Sequence, residues 1–182
     1  LDSTFGLFTM PQHTVYRFPT RTAFEDIACH REDIPKPLSH EVLIKVRAVA
    51  LSSRDCQIAT STYPFPIKDN VVPGSDAAGD IVEVGDLVTD FARGDRVVVC
   101  FDQTRLYGPS THPVAGQSGG GVDGVMAQYI TRPAYAVVKV PPEAPQSYSE
   151  LATLVCTGVT SWNALYGNKP LIAGQVVLVQ GM

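Results

Sequence analysis

Glu41-Val-Leu-Ile-Lys-Val-Arg-Ala-Val-Ala-Leu51 decides how this chain is read. Val42, Ile44, Val46, Ala48 and Ala50 fall on one side of a two-residue repeat, and Lys45 and Arg47 fall on the other. That alternation marks a half-buried β-strand. Working outward, Asp80-Ile-Val-Glu-Val-Gly85 and Asp95-Arg-Val-Val-Val-Cys-Phe101 are further strands, joined through the turn signal Gly94-Asp95. Residues 125–131 and 135–140 add two more. Ser53 to Thr60 fits a short helix, closed by Tyr63-Pro64-Phe65-Pro66. Short strands punctuated by Gly, Pro and Asp imply a mostly β fold, a small and partly open barrel.

The character changes after Pro141-Pro142. Ser147 and Glu150 form a capping box, and helical sequence runs on through Leu151, Leu154, Val155 and Trp162 toward Tyr166. A break is expected near Gly158, and Lys169-Pro170 ends the helix. Val176-Val-Leu-Val179 then reads as a strand buried on both faces, running through Gln180 into Gly181. A glycine in that place makes the tight turn into a helix whose N-terminus binds pyrophosphate. The expected organisation is a barrel over 12–145. Residues 146–182 then supply a helical connection and the first strand of an incomplete α/β Rossmann domain. A chain that stops at that strand is expected to be inactive alone and to bind a dinucleotide weakly. The Gly-, Ser- and Pro-rich stretch 102–124 is read as a surface loop, with a lid or a subunit contact as the alternative.

A net charge of −4 argues against a nucleic-acid or anionic-membrane surface. No apolar run reaches the roughly 18–20 residues that span a bilayer. Leu1-Asp2-Ser3 begins no secretory pattern, so the cytoplasm is the expected location. Cys29, Cys56, Cys100 and Cys156 contain no C-x-x-C pair and read as reduced packing thiols. His13, His30, His40 and His112 show no ligand spacing.

Five ordered motifs together are informative: Glu41-Val-Leu-Ile-Lys-Val, Leu51-Ser-Ser-Arg-Asp55, Pro73-Gly-Ser-Asp-Ala-Ala-Gly79, Gly94-Asp-Arg-Val97 and Cys156-Thr-Gly-Val-Thr-Ser-Trp-Asn-Ala-Leu165. With them the chain resembles the N-terminal GroES-like domain of medium-chain dehydrogenases/reductases. It looks most like the zinc-independent, quinone reductase-like branch, whose Tyr-Pro-x-Pro-x-Lys-Asp segment is similar to Tyr63–Asp69. The resemblance implies an oxidoreductase that uses NADP or NAD to transfer a hydride to a carbonyl or an activated alkene. It implies a small-molecule substrate and allows a homodimer for a full-length protein. A catalytically inactive chain or interaction module retaining the barrel is the alternative.

In zinc-dependent members of the family, cysteine, histidine and cysteine stand where this chain has Ser52, Ser75 and Cys156. Serine hydroxyls are poor zinc ligands, so no metal is expected. By the same resemblance, Ser52, Ser53 and Arg54 lie near the nicotinamide, with Thr160 also touching it and Gln180 and Gly181 in the phosphate turn. Arg54 is either a substrate or phosphate contact or a surface ion pair. Asp55 is the catalytic candidate, and capping its own helix is the alternative. Tyr63 and Cys156 are the substrate-side candidates, Tyr63 as a phenolic proton donor or as packing, Cys156 at the cleft floor.

Overall fold

The computed structural model describes residues 10–105, 107–108 and 115–180. Among the described residues, seven strands and three short α-helices follow one another. β1 spans Gln12–Arg17, β2 Ala28–Asp33, β3 Glu41–Ala50, β4 Asp76–Val84, β5 Arg96–Val99, β6 Tyr129–Pro133 and β7 Val137–Lys139. α1 is Ser53–Ala59, α2 Tyr148–Thr153 and α3 Val159–Tyr166, with a π-helical turn over Leu154–Gly158 between the last two. Five strands form one antiparallel sheet in the order β6-β3-β4-β5-β7. β1 and β2 make a separate antiparallel hairpin, stitched to the rest at Val15↔Ala127 and Phe18↔Val71. The sheet curls into a half-barrel around Val42, Ile44, Ala77, Ile81, Val97, Val99, Val125, Ile130 and Val137. The mostly β reading therefore holds.

β3 departs from simple alternation. Its pairing with β4 slips between Leu43 and Ile44 and again between Val46 and Ala48. The first slip leaves an extra residue on β4, and the second leaves Arg47 extra on β3 and turns the side chains after it over. Val46 and Val49 consequently face the barrel core, whereas Ala48 and Ala50 pack under α2 with Ala78, Val140, Leu151 and Ala152. The expected single face from Val42 to Ala50 is thus split between two cores.

Val125 and Met126, expected in a strand, instead fold over Gly74. Val125 N donates to the Pro73 and Gly74 carbonyls (3.1 Å each) and Met126 N to Pro73 O (3.0 Å). β6 begins only at Tyr129. Of the stretch 102–124, residues 104, 105, 107, 108 and 115 are exposed as expected, 106 and 109–114 lie outside the described residues, and the part from 116 onward is packed. Ser118, Gly119 and Gly120 are buried, Lys68 N donates to Gly120 O (2.9 Å), and Gly119 presses on the Gly74 backbone. A Cβ on Gly124 would run into the Gly74 carbonyl, so the two backbones meet only because Gly124 lacks a side chain.

Val176–Val179 form no ladder with any described residue. Val176 is 96% exposed. The strand expected there pairs with none of the described residues, and an unpaired strand's backbone groups turn to water. Among the described residues no helix is long and apolar enough to cross a membrane.

Candidate active site

Three segments converge where β3 runs into α1. The first is the start of α1. Ser52 is its N-cap, and Asp55, three residues on, closes a capping box. Asp55 Oδ2 accepts from Ser52 N (2.8 Å) and Ser52 Oγ (3.2 Å). Its other oxygen, Oδ1, is buried with no hydrogen-bond partner among the described residues. The capping alternative is therefore realised in Asp55, with one oxygen uncommitted. Ser53 stands exposed on the first turn.

Arg54 makes no ion pair among the described residues. Its guanidinium lies between two rings, 4.9 Å from the Tyr63 centroid and 5.0 Å from that of Phe101. Nη1 donates to Ser118 O (3.0 Å), and Nη2 reaches Gln117 Oε1 at 3.5 Å. Such stacking suits a planar, weakly hydrated cation. Arg54 thus pins the glycine-rich loop against α1. Tyr63 is used as packing, edge-on to Phe65 at 5.6 Å, with its hydroxyl 3.5 Å from Gln117 Oε1.

The second segment is Ser75-Asp76 at the start of β4, and both residues are buried. Ser75 Oγ donates to Asp76 Oδ2. Asp76 Oδ1 accepts from the backbone N of Cys156 (2.7 Å), eighty residues away in sequence. Burial pushes the Asp76 carboxyl above its ordinary value, the hydrogen bonds from Ser75 and Cys156 oppose this, nearby Asp55 adds to it, and Arg54 works against it. Sequence reading passed over Asp76. The signal available was a lone carboxylate inside the small, apolar run Pro73–Gly79.

The third segment is the π turn. Cys156 is half-buried, and its thiol is pushed up by burial and by Asp76, with Arg54 and the Thr160 hydroxyl opposing. Thr160 Oγ1 donates to Cys156 O (2.8 Å). The field of Arg54 reaches both Asp76 and Cys156, so all three segments share one electrostatic neighbourhood. Beside them lies a hollow of about 540 Å³, lined mainly by Val98, Val99, Phe101, Leu154, Val155 and Val159. Its apolar wall and few polar groups suit a small organic ligand. Gln180 is exposed in the terminal segment, and Gly181 lies outside the described residues.

Zinc does not fit this donor set. The Ser75 hydroxyl is already donating to Asp76, Ser52 is occupied in its cap, and the Cys156 environment favours the protonated thiol. Among the described residues no three His, Cys, Asp or Glu side chains cluster as a cage. Of the residues assigned to the nicotinamide side, Ser52 caps α1, Ser53 is exposed on its first turn and Thr160 is exposed on α3.

The alcohol dehydrogenase GroES-like domain family matches residues 38–142. A zinc-type alcohol dehydrogenase-like protein of Schizosaccharomyces pombe is 39% identical over 88% of this chain and 47% of its own length. An acryloyl-coenzyme A reductase of Metallosphaera sedula is 34% identical over 81% of this chain and 45% of its own. A thermostable alcohol dehydrogenase structure from Pyrobaculum aerophilum superposes with a TM-score of 0.71 at 27% identity, covering 86% of this chain and 48% of that one. The chain spans about half the length of the curated relatives it matches. With the GroES-like profile covering more than half of its residues and the half-barrel in place, the chain belongs to the medium-chain dehydrogenase/reductase family through its alcohol dehydrogenase GroES-like domain.

Proposed function

We propose that this chain is the substrate-side half of an NAD(P)-dependent oxidoreductase that works without zinc on a small carbonyl or activated-alkene substrate. The observation that supports this most directly is Ser75, whose hydroxyl donates to Asp76 at a position where zinc-dependent relatives place a metal ligand. The reduced nicotinamide, when bound, supplies a hydride (two electrons) to the carbonyl carbon or to the β-carbon of the alkene. A proton then goes to the carbonyl oxygen or to the α-carbon. Alcohol dehydrogenases and an acryloyl-coenzyme A reductase among the relatives support these two substrate types.

The chain's own residues divide the remaining work. The apolar wall from Val98 to Phe101, together with Leu154, Val155 and Val159, shapes the hollow and excludes water from a bound substrate. Ser52, Ser53 and Thr160 face the nicotinamide side, and Gln180 and Gly181 belong to the phosphate turn. Arg54 orients the loop at Gln117 and Ser118 and supplies a fixed positive charge near the reacting oxygen. Asp55 Oδ1, buried without a partner among the described residues, is the candidate catalytic oxygen. Tyr63 and Cys156 border the substrate.

The test is elemental analysis paired with turnover in the presence of chelator. The expected result is no stoichiometric zinc and activity with NADPH or NADH that chelator leaves intact. About one tightly held zinc per chain would overturn the metal-free reading. Failure of calorimetry to detect either dinucleotide on a chain extended through the glycine turn would overturn the oxidoreductase reading and favour an inactive, barrel-only role.

A further inference from the structure

We infer that Asp76 is the positioning residue that fastens the π turn, and with it Cys156 and Thr160, to the end of the barrel from which α1 starts. The inference goes beyond the oxidoreductase reading and would stand without it.

Two independent attachments meet at this residue. Through its backbone, Asp76 pairs with Ala50, the last residue of β3. Two residues later Ser52 caps α1, so the backbone of Asp76 is registered against the segment that carries Ser52 to Asp55. Through its side chain, Asp76 takes the amide of Cys156 from the far end of the chain. One residue therefore fixes the relation between two segments that are about a hundred residues apart in sequence.

The receiving segment needs such a fastening. A π turn is a strained, weakly held stretch of helix whose backbone groups are more readily given away. Here carbonyls of the turn and of the helix before it are taken up by side chains. Thr153 Oγ1 donates to Glu150 O (2.7 Å), Thr157 Oγ1 to Thr153 O (2.8 Å), Thr160 Oγ1 to Cys156 O (2.8 Å) and Ser161 Oγ to Thr157 O (2.9 Å). Hydroxyls bonding back in this way bend a helix. Cys156 is the residue where both kinds of capture coincide, its carbonyl accepting from Thr160 and its amide donating to Asp76.

The carboxylate is also an expensive choice for a plain core position. Asp76 is 4% exposed, and none of the described ion pairs includes it. A small apolar residue would avoid the desolvation of a buried charge. What the carboxylate adds is geometry. Its two oxygens accept from opposite sides, one from the neighbouring Ser75 hydroxyl and one from the distant amide. A charged acceptor makes the amide bond stronger than a neutral one would.

Amide hydrogen exchange and the amide proton shift of Cys156 test this on the whole chain. Asp76→Ala should speed exchange over 154–160 by about tenfold or more, the loss of one hydrogen bond to a charged group. Exchange at Ile44 and Ile81 in the barrel core should stay unchanged. Asp76→Asn keeps an oxygen for the Cys156 amide and should restore slow exchange, while moving the Cys156 amide proton upfield because the acceptor has lost its charge. Unchanged exchange over 154–160 in Asp76→Ala would overturn the inference. So would acceleration spread evenly over the barrel, which marks a merely structural residue. If Asp76→Ala does not fold, Asp76→Asn decides alone: an upfield Cys156 amide supports the inference, and an unmoved one overturns it.

Discussion

Val97-Val-Val99 and Val176-Val-Leu-Val179 are almost the same sequence with opposite fates. Val97 is 0% exposed in the middle of the core, and Leu178 is 82% exposed to water. Composition does not separate them. β5 has β4 on one side and β7 on the other, registered at Val97↔Lys139 and Gly79↔Val97, whereas the later run pairs with no described residue. An apolar run thus becomes a buried strand only when neighbours satisfy its amides and carbonyls. Hydrophobicity selects the candidates, and pairing decides among them.

The contrast can be broken most forcefully with charge. Val97→Asp places an unpaired carboxylate in the core, a cost of several kcal/mol against a total stability of about 5–15 kcal/mol. Thermal unfolding followed by circular dichroism should show no cooperative transition. Leu178→Asp should shift stability by no more than about 0.5 kcal/mol. A gentler version is truncation. Ile81→Ala empties part of the main core and should cost about 2–5 kcal/mol in urea unfolding, while Val179→Ala should be silent. If Val179→Ala costs as much as Ile81→Ala, the terminal run is buried in solution and the comparison fails.

Two smaller effects sharpen it at the edges. Ser147 caps α2, which covers Ala78 and Val140 on the sheet's second face, and Ser147→Ala should lower stability by about 1 kcal/mol. The β1–β2 hairpin is held by polar contacts. Arg17 donates to Glu32 at 2.5 and 2.9 Å, and this hydrogen bonding, offset in part by burial, holds the Glu32 carboxyl below its usual range. A depressed carboxylate contributes stability that is present above its unfolded value of roughly 4.3 and lost as pH falls through the folded one. Stability measured from neutral pH down to pH 3 should therefore fall less steeply in Glu32→Gln than in the parent chain.

What the sequence revealed follows the same division. β3, β4 and β5 were legible because their valines and isoleucines alternate or cluster between turn signals. β2 was not, because Ala28-Cys-His-Arg-Glu-Asp33 has no apolar face and is held by its ladder to β1 and by Arg17. The capping box of Ser147 and Glu150 was readable from spacing alone, since it needs only residues three apart. The Asp76–Cys156 contact was invisible for the opposite reason, as nothing local marks which distant amide a buried carboxylate will accept. Arg54 was noticed as a charge, but its place between Tyr63 and Phe101 depends on a loop that comes back from beyond residue 115. The slips in β3 escaped notice too, since alternation on paper has no bulges.

The order of the strands in the sheet also has a kinetic consequence. β4 meets β3 after one intervening helix and loop, whereas β6 must return to Lys45 from Tyr129, past most of the domain. Bringing distant segments together costs chain entropy before any contact repays it. Assembly should therefore spread from the β3–β4 pair outward, with β6 as the last strand to zip onto the sheet. The Val15↔Ala127 bridge that attaches the hairpin lies just before β6, so it can form only once that strand has arrived. The rate at which this domain folds is set by its slowest return journey.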